Sequence, residues 1–196
     1  DTRRLMTDSR NERRLLDAAC EIAREAGRAI LDVYGRRDFA VSRKSDDSPL
    51  TEADQVSHGI ISRALAKLDA GLPILSEESM PADHAMRREW KRYWLVDPLD
   101  GTKEFLKRNG EFTVNIALVD GHRAVLGAVH APVLDRMYSG YVALGAWRSD
   151  AGAAAKPIAV RANAAAPLRV VGSRSHPTPE LAAYLAGLPA HEITRR

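Results

Sequence analysis

The sequence predicts an α+β domain that leads into the start of an α/β domain. Three observations carry this reading. Helical apolar spacing dominates residues 9–71, short strand-like apolar runs dominate residues 73–142, and a strand followed by a helix begins at Leu168.

The elements follow in order. Ser9-x-x-Glu12 reads as a capping box ahead of the first helix. Its apolar positions Leu15, Ala19, Ile22, Ala26, Ile30 and Val33 step by three or four, and Gly35 is a plausible stop. Residues 44–50 (KSDDSPL) form a polar loop. Thr51-x-x-Asp54 opens a second helix, expected to bury Val56, Ile60, Ala64 and Leu68 and to end near Gly71. Residues 73–75 and 93–96 are short strands, the latter ending in acid at Asp97, where Pro98 prevents simple continuation. Residues 113–119 and 123–130 flank Asp120-Gly121 as a β-hairpin, and residues 136–142 form another strand. Residues 143–156 are weakly patterned, with turns at Gly145 and Gly152. After the alanine-rich stretch that ends at Pro167, residues 168–171 form a strand and 179–188 a helix. The domains are therefore 1–162 and 163–196.

Composition bounds the function. The 196 residues are 45% hydrophobic and 28% charged, as expected of a globular protein able to bury a core. Aromatic residues are only 6%, so the core is aliphatic and alanine-rich. The single cysteine, Cys20, sits in a helical pattern without His or Cys neighbours and reads as a small buried hydrophobe. It suits a reducing, cytoplasmic compartment. No run approaches the ~18 apolar residues of a membrane span. Net charge is +3, with arginines crowded into the first 43 positions. Asp17, Glu21, Glu25 and Asp32 interrupt them, so a solvated helix face is the simpler reading than a nucleic-acid surface.

The chemistry lies in residues 94–105, WLVDPLDGTKEF. An apolar strand delivers Asp97, and Asp100 follows three residues later. Neighbouring carboxylates repel, and a hard divalent cation such as Mg²⁺ relieves that repulsion while keeping positions for water and phosphate. Gly101 allows close backbone approach, and Gly101-Thr102 starts a helical turn whose N–H groups suit an anion. A second acidic pair, Glu77-Glu78, follows another short strand and could complete a metal cage. Trp94 and Phe105 read as core. His58 reads as an exposed helix residue, and His84, His122, His130 and His191 show no ligand spacing.

WLVDPLDGTKEF, with SPLTEAD (48–54) and ILSEES (74–79) before it in order, resembles the signature segments of the lithium-sensitive, Mg²⁺-dependent phosphatases. These include inositol monophosphatase and fructose-1,6-bisphosphatase. The resemblance runs from about Arg13 to the end of the chain. Lys103-Glu104-Phe105, GEFTVNIALV (110–119) and VGSRSHPTPEL (171–181) are most similar to the bacterial 3'(2'),5'-bisphosphate nucleotidase branch. The resemblance implies a layered αβαβα sandwich, here with its second half truncated. It implies that Glu77, Asp97 and the Leu99 carbonyl bind one metal ion and Asp97 and Asp100 a second. The cofactor would be Mg²⁺, two or three ions, with inhibition by Li⁺. Asp54 and Thr102, with Glu77, would be catalytic and activate a water. Gly101, Thr102 and Lys103 would hold the substrate, with Ser173, Ser175 and His176 as further contacts. Glu78 is either a supporting acid or a surface residue.

The expected function is removal of the 3'-phosphate of 3'-phosphoadenosine 5'-phosphate, giving AMP and phosphate. Inositol monophosphatase or a sugar-phosphate phosphatase is the alternative, and a non-catalytic anion- or nucleic-acid-binding module is a further one. The expected partner is a small phosphate substrate such as a nucleoside bisphosphate, without nucleic acid or integral membrane association. A homodimer, and a peripheral position on the inner face of a bacterial membrane, are open alternatives. Relatives also carry a later W-D-x-A-A-G-type signature. After Asp150 this sequence has only Glu180 and Glu192 as acids. The α/β half stops after one strand and one helix on this reading, so 196 residues are expected to be an incomplete folding unit that holds the second metal poorly.

Overall fold

Helix α1 (Thr2–Tyr34) organises the N-terminal part by burying Ala19, Ala23, Ala26 and Ile30 completely. Small side chains at this spacing let the helix lie close to a sheet. The computed structural model describes residues 2–43, 49–69, 71–79, 83–162, 167–172 and 178–195. The chain divides into two compact units, Asp1–Ile158 and Ala159–Arg196.

In the first unit, α1 is followed by a short antiparallel pair, β1 (Val41–Arg43) and β2 (Pro49–Thr51). Helix α2 (Glu52–Leu68) packs on α1. Seven further strands form one sheet among the described residues: β3 (Ile74–Ser76), β4 (Arg92–Asp100), β5 (Thr113–Asp120), β6 (Arg123–Ala131), β7 (Arg136–Tyr141), β8 (Gly145–Asp150) and β9 (Lys156–Ile158), side by side in that order. Only β3, at one edge, runs parallel to its neighbour, and the crossover to β4 carries α3 (His84–Arg88). Helix α4 (Thr102–Leu106) follows β4 directly, and a 3₁₀ turn (Pro132–Leu134) joins β6 to β7. Helix α1 lies against β5, β6 and β7, and α2 lies against β4, so both helices cover one face of the sheet. Trp94, Val96, Ile116, Leu118, Leu126 and Ala128 fill the space between them.

Beneath α4, the rings of Tyr34, Phe39, Phe105 and Phe112 meet at 5.1–5.3 Å between centroids. Arg108 closes this cluster. Its guanidinium lies over Tyr34 and Phe39 and donates to the carbonyls of Tyr34 and Arg36. Several arginines of the basic segment pair locally, Arg13 with Asp17 and Arg24 with Glu21 on α1, and Arg36 with Glu52.

In the second unit, β10 (Leu168–Gly172), α5 (Pro179–Ala186) and β11 (His191–Arg195) form a βαβ arrangement, with the two strands parallel from Leu168 opposite His191. Thr178 caps α5 by accepting the N–H of Leu181 at 3.1 Å.

Several expectations change. Helix α1 passes unbroken through Ser9, which therefore lacks the non-helical backbone an N-cap needs. On α2 the fully buried positions are Ala53, Asp54, Ser57, Ile61 and Leu65, while Val56 is exposed. The helix turns a partly polar face inward, which an apolar stripe cannot reveal. Strand β4 continues through Pro98 to Asp100, because the register to β5 breaks between Asp97 and Asp100 and the missing N–H interrupts no ladder bond there. Residues 143–156 contain β8 and the start of β9, whose outward residues, Arg148 and Lys156 among them, mask the alternation. Strand β11 extends the second unit beyond one strand and one helix. Residues 44–48 of the polar loop lie outside the described residues.

His130 on β6 is 4% exposed, with Nδ1 3.2 Å from the Ala23 carbonyl. A Cβ at Gly27 would sit 2.5 Å from that nitrogen, so only glycine allows the contact. Among the described residues Nε2 has no hydrogen-bond partner, and Asp135 is 3.8 Å away. Burial lowers the imidazole pKa, with Arg24 acting in the same direction and Asp135 opposing. The unfolded chain then binds more protons than the folded one below ~pH 6.5, so His130 removes stability as pH falls from there toward its lowered folded value. His130→Gln should flatten that part of the acid slope in urea midpoints taken between about pH 7.5 and about pH 5.5. An unchanged slope would assign it to another group.

Candidate active site

Strand β3 aims the first acid. Ser76, its last residue, pairs with Val96 of β4, and Glu77 continues the contact by donating its N–H to the Val96 carbonyl at 3.1 Å. Because side chains alternate along a strand, Ser76 faces the helices and Glu77 faces the other side. Asp97 follows Val96 by the same alternation and so shares the side of Glu77. Register sets Asn115 of β5 opposite Asp97.

These carboxylates crowd one another. The Asp97 pKa is pushed up to about 7, first by burial, then by the charge of Glu77 and that of Asp100, with a hydrogen bond to Glu77 adding to it. The Leu99 N–H donates to Asp97 Oδ1 at 3.2 Å and opposes the shift. Past the register break, Asp100 accepts from Asn115 Nδ2 at 3.1 Å, and the Thr113 hydroxyl donates to Asn115 Oδ1 at 3.0 Å. Among the described residues, no three His, Cys, Asp or Glu side chains are drawn together tightly enough to cage an ion by themselves. The acids form a pair, Glu77 with Asp97, with Asp100 close by.

The donor set nevertheless fits a hard divalent cation. It consists of carboxylate oxygens and a backbone carbonyl, and Mg²⁺ typically takes one or two carboxylates and completes its shell with water and phosphate. A cation there also relieves the repulsion that holds the Asp97 pKa up.

Helix α2 supplies the second part of the site. Asp54 is buried in its first turn, where Thr51 donates both its N–H, at 2.8 Å, and its hydroxyl to Oδ2. Asp54 thereby closes a capping box. Its other oxygen, Oδ1, accepts the Thr102 hydroxyl at 3.2 Å. Thr102 has one hydroxyl proton and a second acceptor within reach, the Leu99 carbonyl at 3.3 Å.

The turn between these parts rests on Gly101. It has φ +97°, and a Cβ there would lie 2.9 Å from the Glu111 carbonyl oxygen. Helix α4 starts immediately after it, with Phe105 N–H bonded to the Gly101 carbonyl at 2.9 Å. The first N–H groups of a helix have no partner within it. Lys103 is exposed on α4. The acids open onto a groove of about 450 Å³ whose lining includes Glu77, Asp97 and Asn115 and a floor of Leu95, Ala117 and Val129.

The structure thus gathers Asp54, Glu77, Asp97, Leu99, Asp100, Gly101 and Thr102 onto the adjoining ends of α2, β3, β4 and α4. Ser173, Ser175 and His176 lie outside the described residues. Glu78 is half-buried, and its N–H donates to Ser76 Oγ at 3.4 Å.

Some residues were missed from the sequence. Ser57 is fully buried and donates to the Pro98 carbonyl at 2.7 Å. His58 is half-buried rather than exposed, with Nδ1 2.9 Å from Ser76 Oγ, and burial lowers its pKa. Asn115 bridges to Asp100. Of these only Asn115 left a trace, as the one polar amide in the apolar run of β5.

An inositol monophosphatase family model matches residues 11–194. The 3'(2'),5'-bisphosphate nucleotidase CysQ of Salmonella typhimurium is 52% identical over 182 residues, covering 92% of this chain and 72% of that protein. The protein of the same name from Escherichia coli K12 is 50% identical over 181 residues, covering 92% and 72%. The crystal structure of CysQ from Bacteroides thetaiotaomicron, a bacterial member of the inositol monophosphatase family, matches with a TM-score of 0.77 at 37% identity, over 92% of this chain and 71% of that one. No helix among the described residues is long and apolar enough to cross a membrane.

Proposed function

The chain belongs to the inositol monophosphatase family, and from that premise we propose that it is a Mg²⁺-dependent 3'(2'),5'-bisphosphate nucleotidase. Its substrate on this reading is 3'-phosphoadenosine 5'-phosphate, hydrolysed to AMP and phosphate. The names and ~50% identity of the bacterial relatives support the substrate class. The observation that carries the chemistry is the Asp54–Thr102 hydrogen bond standing beside the Glu77–Asp97 pair.

Glu77, Asp97, Asp100 and the Leu99 carbonyl are the groups that would hold Mg²⁺. When bound, the ion supplies charge neutralisation and polarisation of the phosphoryl oxygens. The protein's own groups do the rest. Thr51 holds Asp54 as an acceptor through two donors. Asp54 draws the Thr102 proton toward Oδ1, leaving the Leu99 carbonyl available as a ligand. The lone pairs of Thr102 Oγ1 then face outward and accept a proton of the attacking water, aiming its oxygen at phosphorus. As the new P–O bond forms and the bond from phosphorus to the 3'-oxygen breaks, the water's proton passes to Thr102 Oγ1 while the Thr102 proton passes to Asp54 Oδ1, and the departing 3'-oxygen takes a proton from solvent. The turn at Gly101 and Thr102 offers backbone N–H groups to the phosphate. Lys103 adds a positive charge suited to a second phosphate. Little more is asked of the protein in phosphoryl transfer than positioning and charge stabilisation.

The single cysteine, Cys20, is buried, and burial raises its thiol pKa, so it stays an inert core side chain. The resemblance also implies inhibition by Li⁺.

Phosphate release from a panel of phosphomonoesters, with and without Mg²⁺, tests the proposal. The specificity constant for 3'-phosphoadenosine 5'-phosphate should exceed that for inositol 1-phosphate by about 10²-fold, on the scale of differential recognition of one charged group. Equal values would return the chain to the broader sugar-phosphate phosphatases. Release that ignores Mg²⁺ would overturn the metal reading.

A further inference from the structure

Helix α2 reaches the site at three points. Asp54 bonds Thr102, Ser57 bonds the Pro98 carbonyl, and His58 bonds Ser76. The third contact bears on Glu77. Strand β3 is three residues long and forms the edge of its sheet, with β4 as its only strand partner among the described residues. Short edge strands fray readily, since half of their backbone groups lack a neighbouring strand. Ser76 is 4% exposed, and its hydroxyl meets His58 Nδ1 at 2.9 Å while accepting the Glu78 N–H at 3.4 Å. Ser62 Oγ lies 3.4 Å from the same nitrogen. The imidazole is thus fixed on the helix and grips the strand end from the side opposite the acids. Glu77, the next residue, projects from that gripped end toward Asp97.

We propose that His58 is a positioning residue for Glu77: through Ser76 it pins the end of β3 to α2 and so sets the approach of the Glu77 carboxylate to Asp97 that a divalent cation needs. The proposal rests on the metal-site reading above. Partners of metal ligands affect affinity by ~10–100-fold when removed, and His58 stands one residue further out, through the backbone.

The test is Mn²⁺ binding to the full chain without substrate, followed by the paramagnetic signal of free Mn²⁺, beside the Mg²⁺ dependence of phosphate release. His58→Leu should weaken Mn²⁺ binding by ~10-fold and raise the half-saturating Mg²⁺ concentration by a similar factor. KM at saturating Mg²⁺ should change by less than ~2-fold, because uniform substrate binding is untouched. His58→Asn, which can place an amide near the Nδ1 position, should recover most of the affinity, whereas a purely space-filling role would not be rescued this way. Ser76→Ala should reproduce the loss, and it carries the same test if His58→Leu does not fold. Wild-type Mn²⁺ affinity in a folded His58→Leu or Ser76→Ala overturns the positioning role alone. Failure of the wild-type chain to bind Mn²⁺ overturns the metal reading and the proposal with it.

Discussion

Asp97→Asn should lower turnover at saturating Mg²⁺ by ~10³-fold or more, about 4 kcal/mol of transition-state stabilisation. Asp97 stands between Glu77 and Asp100, and its burial and their charges are what raise its pKa to about 7. An asparagine keeps the shape and the Leu99 N–H contact but contributes no charge toward a cation. The same substitution should act oppositely on the metal-free fold. Asp97 has a folded pKa near 7 against an unfolded value of about 3.9, so the folded chain binds more protons between those values. Its contribution to stability is therefore lost as pH rises through that window, and above it the repulsion is fully present. Asparagine removes the repulsion. In chelator at about pH 8, Asp97→Asn should melt higher than the wild-type chain, and at about pH 4 the difference should vanish. Near-normal turnover would remove Asp97 from the metal site. A variant that melts lower in chelator would mean that Asp97 is stabilised by contacts rather than strained by charge.

The acids were legible because each follows a short apolar run, and the end of such a run can be read from composition. Residues 74–79 and 94–105 carry apolar runs broken abruptly by carboxylates, and the structure joins Glu77 and Asp97 through adjacent strands. Thr51 and Asp54 were legible as the start of a helix, though that start hides the capping box they form and the bond from Asp54 to Thr102. What stayed hidden is the inward polar face of α2. A buried Ser57 or a half-buried His58 looks like a solvent-facing residue in a helical pattern, because periodicity records apolarity rather than direction. Its place became visible only once the partners, Pro98 and Ser76, were fixed in space. Strand β8 was hidden for a related reason. Trp147 and Ser149 face inward while Arg148 and Asp150 pair with each other outside, so the inward set is itself half polar.

Gly101→Ala should be the most damaging change outside the acids, and through geometry rather than charge. Gly101 has φ +97°, and a Cβ there would sit 2.9 Å from the Glu111 carbonyl oxygen and 3.3 Å from Phe112 Cα and Cβ. The obstacle is backbone, and Phe112 is locked into the ring cluster with Tyr34 and Phe105, so it cannot easily give way. The positive φ alone costs ~1–3 kcal/mol, and displaced backbone adds ~1–3 kcal/mol. A melting point lower by roughly 5–15 °C follows for a chain of this size. The turn also aims Thr102, whose bond to Asp54 spans 3.2 Å. A shift of ~1 Å there is expected to cost about 10²-fold in turnover. Mn²⁺ binding should fall much less, since Glu77 and Asp97 precede the turn. Gly121→Ala is the control. Gly121 also has positive φ, +60°, but a Cβ there meets nothing within 4 Å, and it lies in the hairpin between β5 and β6. That variant should show the backbone cost of ~1 kcal/mol with unchanged turnover. If Gly101→Ala melts no lower than Gly121→Ala and turns over normally, the turn can relax around a methyl group. The close approach to Glu111 would then not be what holds Thr102 against Asp54.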